Sequence, residues 1–259
     1  MNLSNKTILV TGGTGSFGKS LIDQIIKKHK GIKKLIIYSR DELKQFNLSK
    51  KYSDKKYKFL RFFIGDVRDF KRLDWALKEV DIVIHAAALK QVPAAEYNPF
   101  ECIKTNIDGS NNIITAAIEA KVKKVIALST DKAVNPINLY GATKLCAEKL
   151  FVTANALSGS ATNFSVVRYG NVLNSRGSII PLILKYKNEG KKNFPLTSEK
   201  MTRFFISLEN SVKFVVQSLK IMHKGEIFIP KMPSVYIKDL INALYPNVSI
   251  KLTGVRPGE

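Results

Sequence analysis

Short apolar runs alternate with amphipathic segments through the first two thirds of the chain. The apolar runs are nearly uninterrupted, as in strands that are buried on both faces of a sheet, and the segments between them have helical spacing. The predicted strands are residues 7–10, 35–38, 59–64, 82–84, 125–128 and 164–168, and the predicted helices are residues 16–28, 41–50, 69–78, 100–120 and 139–156. Buried strands joined by right-handed helical crossovers predict an α/β fold with a doubly wound parallel sheet.

The alternation becomes less regular after residue 169. The pattern there predicts helices at 178–188, 209–222 and 237–244 and strands at 226–229 and 248–252. These elements are too few for an independent core, so we expect a lobe packed over the carboxyl edge of the sheet. The expected organisation is a nucleotide-binding domain, 1–170, and a smaller lobe, 171–259, that returns in part to the first sheet and is incomplete.

The composition is that of a globular protein with a strongly basic surface. The 259 residues are 45% hydrophobic, and the formal net charge is +21. Such a charge suits nucleic acid, a membrane surface or an anionic small substrate. The lysines are spread along the whole chain, arginine is scarce, and no nucleic-acid-binding motif is present, so a solvated basic surface is favoured over nucleic-acid binding.

Other features restrict the location and the chemistry. No apolar run approaches the roughly 18 to 20 residues that span a bilayer, and the N-terminus lacks a signal-peptide pattern. A cytoplasmic protein without a membrane anchor is therefore expected. The two cysteines lack CxxC spacing and the three histidines are scattered, so no metal site is predicted.

A glycine-rich turn, TGGTGSFG, separates the first predicted strand from the first helix. Glycines at this junction let the backbone approach a pyrophosphate at the positive N-terminus of a helix. The alternative, a flexible turn, is less favoured in this context. The turn predicts a Rossmann nucleotide site, lined by Gly12, Thr14, Gly15, Ser16, Phe17 and Gly18.

The end of the second predicted strand favours NADP over NAD. An acidic residue there would hold the ribose 2′-hydroxyl of NAD. Here Ser39 and Arg40 follow the strand, with Lys44 one helical turn further, and these groups suit a 2′-phosphate. Asp41 and Glu42 leave NAD open, although acids in the first turn of a helix also complement its dipole.

Residues after the third and fourth predicted strands should complete the cofactor site. Asp66 and Val67 are expected to cover the adenine ring, and Ala86 is small enough for the cofactor to lie close. His85 is interpreted as a core histidine rather than a catalytic one.

The candidate chemical centre is residues 129–144, STDKAVNPINLYGATK. The acid Asp131 and the amine Lys132 follow the fifth predicted strand, and Tyr140 and Lys144 lie one turn apart on the next helix. A lysine one turn away can lower the pKa of a phenol. A tyrosinate could then take a hydroxyl proton while hydride passes to NADP.

These features resemble the extended short-chain dehydrogenase/reductase superfamily, and within it the inverting UDP-N-acetylglucosamine 4,6-dehydratases of pseudaminic-acid and surface-glycan pathways. The resemblance extends from the first strand to the last residue. The shared stretches are TGGTGSFG, YSRDELKQ, FFIGDVRD, HAAALK, AEYNPFECIKTNI, ALSTDKAVNPINLYGATK, FSVVRYGNV, SRGS, MTRF, GEIFIPK and VRPGE.

The resemblance implies a role for each group at the centre. Tyr140 would oxidise C4 of the sugar with NADP, with Thr130 polarising the same hydroxyl. Lys132 would then remove the C5 proton, and Asp131 would protonate the departing C6 hydroxyl. Relatives that retain the C5 configuration have Asp-Glu where this chain has Asp131-Lys132. Lys132 is therefore the residue that indicates inversion.

The resemblance also implies the substrate and the assembly. Lys90, Asn171, Arg203 and Arg256 would bind the UDP-sugar, Lys90 would also contact the cofactor, and a homo-oligomer is expected. Two departures stand out: Gln91 replaces a common histidine, and the family continues past RPGE, which suggests a truncated sequence. Two alternatives stay open, a UDP-sugar 4-epimerase of the same fold and a non-catalytic NADP-binding protein.

Overall fold

The structure is a computed structural model that describes residues 3–28, 31–53, 55–159, 161–175 and 177–255. In chain order its strands are β1 (Thr7–Thr11), β2 (Lys34–Ser39), β3 (Leu60–Ile64), β4 (Ile82–His85), β5 (Lys124–Thr130), β6 (Asn163–Tyr169), β7 (Asn171–Val172), β8 (Asn193–Leu196), β9 (Thr202–Ile206), β10 (Ile227–Phe228), β11 (Ser234–Tyr236) and β12 (Ser249–Leu252). Seven of them form one parallel sheet in the order β10-β6-β5-β4-β1-β2-β3. The predicted doubly wound α/β fold is confirmed.

The helices cover both faces of this sheet. They are α1 (Ser16–Lys28), α2 (Glu42–Lys51), α3 (Phe70–Leu77), α4 (Val92–Tyr97), α5 (Pro99–Ile103), α6 (Gly109–Glu119), α7 (Leu139–Leu157), α8 (Ile179–Asn188), α9 (Leu208–Ile221) and α10 (Ile237–Leu244). Apolar residues of α1, α2 and α9 form the core on one face. Residues of α3, α6 and α7 form the core on the other. Burial on both faces explains why the strands are continuously apolar.

The predicted helix 100–120 is interrupted in the structure. A π turn, Lys104–Asp108, separates α5 from α6. Within it, Asn106 hydrogen-bonds through its amide to both main-chain groups of Leu89. Gly109 follows, and a Cβ there would lie 2.7 Å from Val67 Cγ2, so close packing requires glycine. Apolar periodicity cannot distinguish such a turn from regular helix, because the π turn is set by these contacts from outside the helix.

The chain after residue 169 forms additional sheets and also returns to the main one. One small sheet has the order β11-β9-β7, and another pairs β12 with β8. They enclose a separate hydrophobic cluster that includes Ile183, Phe194, Phe205 and Ile241. The elements after residue 169 therefore share a small apolar cluster that is distinct from the two clusters of the main sheet. Strand β10 joins the main sheet beside β6, and α9 packs on α1.

Candidate active site

The glycine loop between β1 and α1 has no room for side chains at critical positions. Gly12 has φ +64°, and a Cβ there would lie 2.9 Å from the carbonyl oxygen of Ala86. A Cβ on Gly18 would overlap the carbonyl group of Gly13. The loop leads directly into α1 at Ser16. A bare backbone beside a helix N-terminus fits the pyrophosphate of a dinucleotide.

Hydrogen bonds connect this loop to the end of β2. The Thr14 hydroxyl donates to Ser39 Oγ at 3.2 Å, and both residues are buried. Gln45 donates from Nε2 to Ser39 Oγ at 3.1 Å, to Ser39 O at 2.8 Å and to Phe63 O at 2.8 Å. Ser39 is thus held by hydrogen bonds to Thr14 and Gln45. Phe17, in the first turn of α1, packs against the core that α1, α2 and α9 form on one face of the sheet.

Arg40 and Asp66 face each other across the ends of β2 and β3. Arg40 Nη1 lies 3.6 Å from Asp66 Oδ2, and Arg68 donates to the same carboxylate from Nε at 3.0 Å and from Nη2 at 2.7 Å. Burial by itself raises the pKa of Asp66, but the Arg68 hydrogen bonds and the Arg40 charge lower it overall. Asp66 therefore remains a carboxylate beside Arg40.

Asp41 is the N-cap of α2. Its carboxylate accepts a hydrogen bond from the Lys44 main-chain N–H at 2.9 Å and pairs with the Lys44 ammonium group. The acid next to Arg40 therefore serves as a helix cap.

The residues after β3 and β4 differ in how they can contribute. The Val67 side chain is 4% exposed and packs in the core that α3, α6 and α7 form on one face of the sheet. The main chain of Ala86 borders Gly12. His85 is buried between Thr11 and Ser110, and burial lowers its pKa to about 3, in keeping with a neutral core histidine.

Three residues at the carboxyl end of β5 form a chain of hydrogen bonds. The Thr130 hydroxyl donates to Asp131 Oδ1 at 2.9 Å. Lys132 Nζ donates to the same oxygen at 3.1 Å and to Asn171 Oδ1 at 3.3 Å. A short 3₁₀ turn, Asp131–Ala133, presents these side chains directly beyond the strand.

Tyr140 lies in the first turn of α7 beside this chain. Asn138 begins the helix by accepting a hydrogen bond from the Gly141 N–H at 2.8 Å. Burial raises the pKa of the Tyr140 phenol, and a hydrogen bond with Thr130 offsets part of the rise. Desolvation of the phenolate is the largest effect on this pKa, which is raised overall.

Lys144 is buried one turn further along α7, with 3% exposure. Burial lowers its pKa to about 8, against the opposing charge of Glu148. Glu148, again one turn further, accepts from Arg168 Nε at 3.0 Å and also pairs with Arg168 Nη2. Tyr140, Lys144 and Glu148 thus follow one face of α7.

The predicted substrate residues are partly brought together. Asn171, at the start of β7, contacts Lys132. Arg203 lies on β9, next to β7, and donates from Nη1 to Thr202 O at 2.8 Å. Lys90 is exposed in the loop after β4, where Asn106 holds the preceding residue. Arg256 lies outside the described residues.

Sequence reasoning missed two buried residues around the centre, Asn106 and Glu148. Glu148 carried a signal, because it continues the four-residue spacing of Tyr140 and Lys144. Asn106 carried none, since its partner Leu89 is distant in the chain. Gln91, which departs from the family pattern, is the N-cap residue of α4, and a Cβ on Gly177 would collide with its side-chain amide group.

Neither a metal cluster nor a membrane span is found where the structure is described. No group of three or more acidic, histidine or cysteine side chains there could hold a metal ion. No helix in those ranges is both long and apolar enough to cross a bilayer.

The parallel sheet and the glycine loop define a Rossmann-fold protein, with the Tyr140–Lys144 pair beyond β5. The chain belongs to the polysaccharide biosynthesis protein family, whose model matches residues 8–259.

Known proteins resemble the chain over nearly its whole length. It is 57% identical over 257 residues to the UDP-N-acetylglucosamine 4,6-dehydratase (inverting) of Campylobacter jejuni, covering 99% of this chain and 76% of that one. It is 45% identical to the UDP-glucose 4-epimerase of Rickettsia akari, covering 98% and 76%. The X-ray structure of Pen from Bacillus thuringiensis superposes with a TM-score of 0.94 at 40% identity, covering 100% of this chain and 83% of that one.

Proposed function

We propose that this protein catalyses the NADP-dependent 4,6-dehydration of UDP-N-acetylglucosamine with inversion at C5. The product would be UDP-2-acetamido-2,6-dideoxy-β-L-arabino-hexos-4-ulose, a precursor for bacterial surface or flagellar glycans such as pseudaminic acid. The observation that carries this proposal is the Asp131–Lys132 pair, in contact at 3.1 Å beyond β5 and next to Tyr140. The 57% identity to the inverting Campylobacter jejuni enzyme supports it.

The glycine loop and Lys144 are suited to hold a nicotinamide nucleotide. When bound, the cofactor accepts hydride from C4 of the sugar and later returns it to C6. Arg40 supports NADP, because its guanidinium group is half exposed at the end of β2 while the neighbouring acid, Asp41, caps α2. Thr14, Gly15 and Ser16 would surround the pyrophosphate.

Tyr140 and Thr130 would act in the first step. Tyr140 would take the proton of the C4 hydroxyl, and Thr130 would hydrogen-bond the same oxygen. Burial disfavours a phenolate, so a positive charge must be close to Tyr140 for this step. Lys144 supplies such a charge on the same face of α7 and would also bind the nicotinamide ribose.

Asp131 and Lys132 would act in the elimination. The 4-ketone makes the C5 proton acidic, and the Lys132 amine would remove it. The C6–O bond would then break as Asp131, which takes up a proton from the Lys132 ammonium group when the neutral amine is formed, transfers that proton to the departing hydroxyl, so that one water is lost. After C6 is reduced, C5 would receive a proton on the opposite face, which inverts its configuration.

Basic and amide side chains near the lobe would bind the nucleotide sugar. Lys90, Asn171, Arg203 and Arg256 are the proposed contacts, and arginine suits a diphosphate because it can form forked hydrogen bonds. We also propose that the enzyme is a homo-oligomer.

A UDP-sugar 4-epimerase is the second candidate, favoured by the 45% identity to the Rickettsia akari enzyme. That reaction needs Tyr140 and Lys144 but no base at C5. Lys132→Ala separates the two functions: an epimerase keeps most of its activity, whereas a dehydratase stalls after oxidation.

An NMR time course in D₂O tests the proposal directly. The protein is incubated with NADP and UDP-N-acetylglucosamine, and the expected product is a 4-keto-6-deoxy sugar with deuterium at C5 and inverted configuration. A product that has the gluco configuration at C5 from the outset would overturn the inversion. Conversion to UDP-N-acetylgalactosamine would establish the epimerase instead.

A further inference from the structure

The Lys132 amine has two hydrogen-bond acceptors that come from different parts of the fold. Asp131 Oδ1, at 3.1 Å, belongs to the turn that follows β5. Asn171 Oδ1, at 3.3 Å, belongs to β7, which pairs with β9 in the small sheet of the lobe. The amine is therefore held between the nucleotide-binding sheet and the lobe.

The strand register explains why these two residues meet. Strands β5 and β6 are paired in parallel, and their last partners are Thr130 and Tyr169. Lys132 and Asn171 each lie two residues beyond these partners, so the parallel chains bring them side by side.

Gly170 fixes the chain just before Asn171. A Cβ on Gly170 would lie 2.6 Å from the carbonyl oxygen of Phe204, so β9 packs directly on this backbone. The Gly170 N–H also donates to Met232 Sδ at 3.2 Å. Contacts on both sides therefore limit the positions that the Asn171 amide can take.

We propose that Asn171 is a positioning residue for Lys132, and that its amide oxygen aims the lone pair of the Lys132 amine at the C5 proton of the sugar. The inference rests on the proposed dehydration and adds to it a role for Asn171 beyond contact with the substrate.

The valence of a neutral amine supports this role. Such an amine has two N–H bonds and one lone pair in a tetrahedral arrangement. When Asp131 and Asn171 accept the two N–H groups, the lone pair has a single direction left. An amide suits the second position better than a carboxylate would, because it accepts a hydrogen bond without adding a negative charge that favours the ammonium form.

The titratable groups around this amine are few in the described part of the chain. Asp131 contacts it directly, and Tyr140 of α7 is connected to it through Thr130 and Asp131. From the lobe, the contact with Lys132 is the neutral Asn171. A charge introduced at position 171 should therefore act on Lys132 strongly.

The first experiment compares oxidation with proton removal in Asn171→Ala. Oxidation is followed in a single turnover by the absorbance of reduced cofactor, and proton removal by deuterium entering C5. Deuterium incorporation should fall about 100-fold, as for a misaligned catalytic group, while reduced cofactor forms and accumulates as it does in Lys132→Ala. Asn193→Ala, at the exposed start of β8, is the matched control and should behave as wild type.

The second experiment requires no turnover. Lys132 is acetylated with acetic anhydride at a series of pH values and its modification is measured by peptide mass spectrometry, with the exposed Lys200 as the internal reference. In Asn171→Asp the added carboxylate favours the ammonium form, so the midpoint of Lys132 modification should move up by about 1 pH unit.

The outcomes separate this inference from the proposed function. A wild-type protein that forms no 4-keto-6-deoxy sugar overturns both. An active wild type with normal deuterium incorporation in Asn171→Ala overturns the positioning role alone. The positioning role is also overturned if Asn171→Ala slows oxidation and proton removal equally by raising KM. That result would show that Asn171 acts only as a substrate contact. An unchanged Lys132 midpoint in Asn171→Asp also contradicts the inference.

Discussion

Lys144 combines burial with the charge that the proposed oxidation needs. Its pKa of about 8 means that it is an ammonium ion below this pH and a neutral amine above it. Formation of reduced cofactor in a single turnover should therefore decline above pH 8. In Lys144→Arg the side chain stays charged, so whatever activity remains should show no such decline. Lys149→Arg, on the exposed side of α7, is the control, and an alkaline decline that persists in Lys144→Arg would contradict the assignment.

His85 should make the fold sensitive to acid. Its pKa is lowered from 6.5 to about 3 by burial, so the unfolded chain binds a proton at a pH where the folded protein does not. The contribution of His85 to stability is complete above pH 6.5 and is lost as the pH falls toward 3. Between about pH 7 and about pH 5 this costs about 2 kcal/mol of unfolding free energy.

Urea unfolding of wild type and His85→Gln at both pH values measures this contribution. Between these pH values the unfolding free energy of His85→Gln should fall by about 2 kcal/mol less than that of wild type. His223→Gln, at an exposed histidine, is the control. Equal losses in wild type and His85→Gln would show that the imidazole is not the source.

Arg40 should determine the preference for the 2′-phosphate. NADP should raise the melting temperature of wild type more than NAD does, because a bound ligand stabilises the folded state. Arg40→Ala should weaken NADP binding about tenfold, as expected for one charged hydrogen bond, and leave NAD binding nearly unchanged. Arg61→Ala, on β3 away from the cofactor site, is the control. Equal weakening of both cofactors would argue against the 2′-phosphate contact.

At the scale of elements, the Glu148–Arg168 pair connects α7 to β6. Glu148 is 2% exposed and Arg168 is mostly buried. Glu148→Ala leaves the guanidinium group without its partner and should lower the unfolding free energy by about 3 kcal/mol, measured by urea denaturation. Glu199→Ala, which breaks an exposed pair with Lys238, should change it little. A similar small effect of Glu148→Ala would mean that water replaces the carboxylate.

The elements that local pattern could predict are those of the main sheet. Strands β1 to β6 and their helices appear within a few residues of the expected bounds, because each carries its own apolar periodicity. Strands β7, β8, β9 and β11 were missed, since they exist through pairing with residues distant in the chain. The interruption of helix 100–120 was missed for a similar reason, because it involves a hydrogen bond between Asn106 and Leu89, which lies in another loop.

In the candidate site, too, local sequence pattern predicted some features, whereas others depend on residues that are distant in the chain. The positions of Tyr140, Lys144 and the Asp131–Lys132 pair followed from strand ends and helical spacing. The raised pKa of Tyr140 did not, because it depends on how fully the surrounding fold excludes water. The contact between Lys132 and Asn171 depends on the register of two strands, which the sequence alone does not specify.

At the scale of the whole molecule, α9 completes the core of the main sheet. Val212, Val215 and Leu219 are fully buried against α1 and the sheet, and each such side chain stabilises the fold by roughly 1.5 to 3 kcal/mol. A fragment of residues 1–170 should therefore bind a hydrophobic dye and unfold without a cooperative transition, whereas 1–230 should be markedly better folded. Cooperative urea unfolding of 1–170 would contradict this.

The position of α9 in the chain has a consequence for synthesis on the ribosome. Six strands of the main sheet emerge before α9 and β10. One apolar face of the sheet therefore stays partly uncovered until α9 has been translated. Exposed apolar faces of this kind attract chaperones or aggregate. A pause in translation before α9 has left the ribosome would therefore be more damaging to the yield of folded protein than a pause after α9 and β10 have left it.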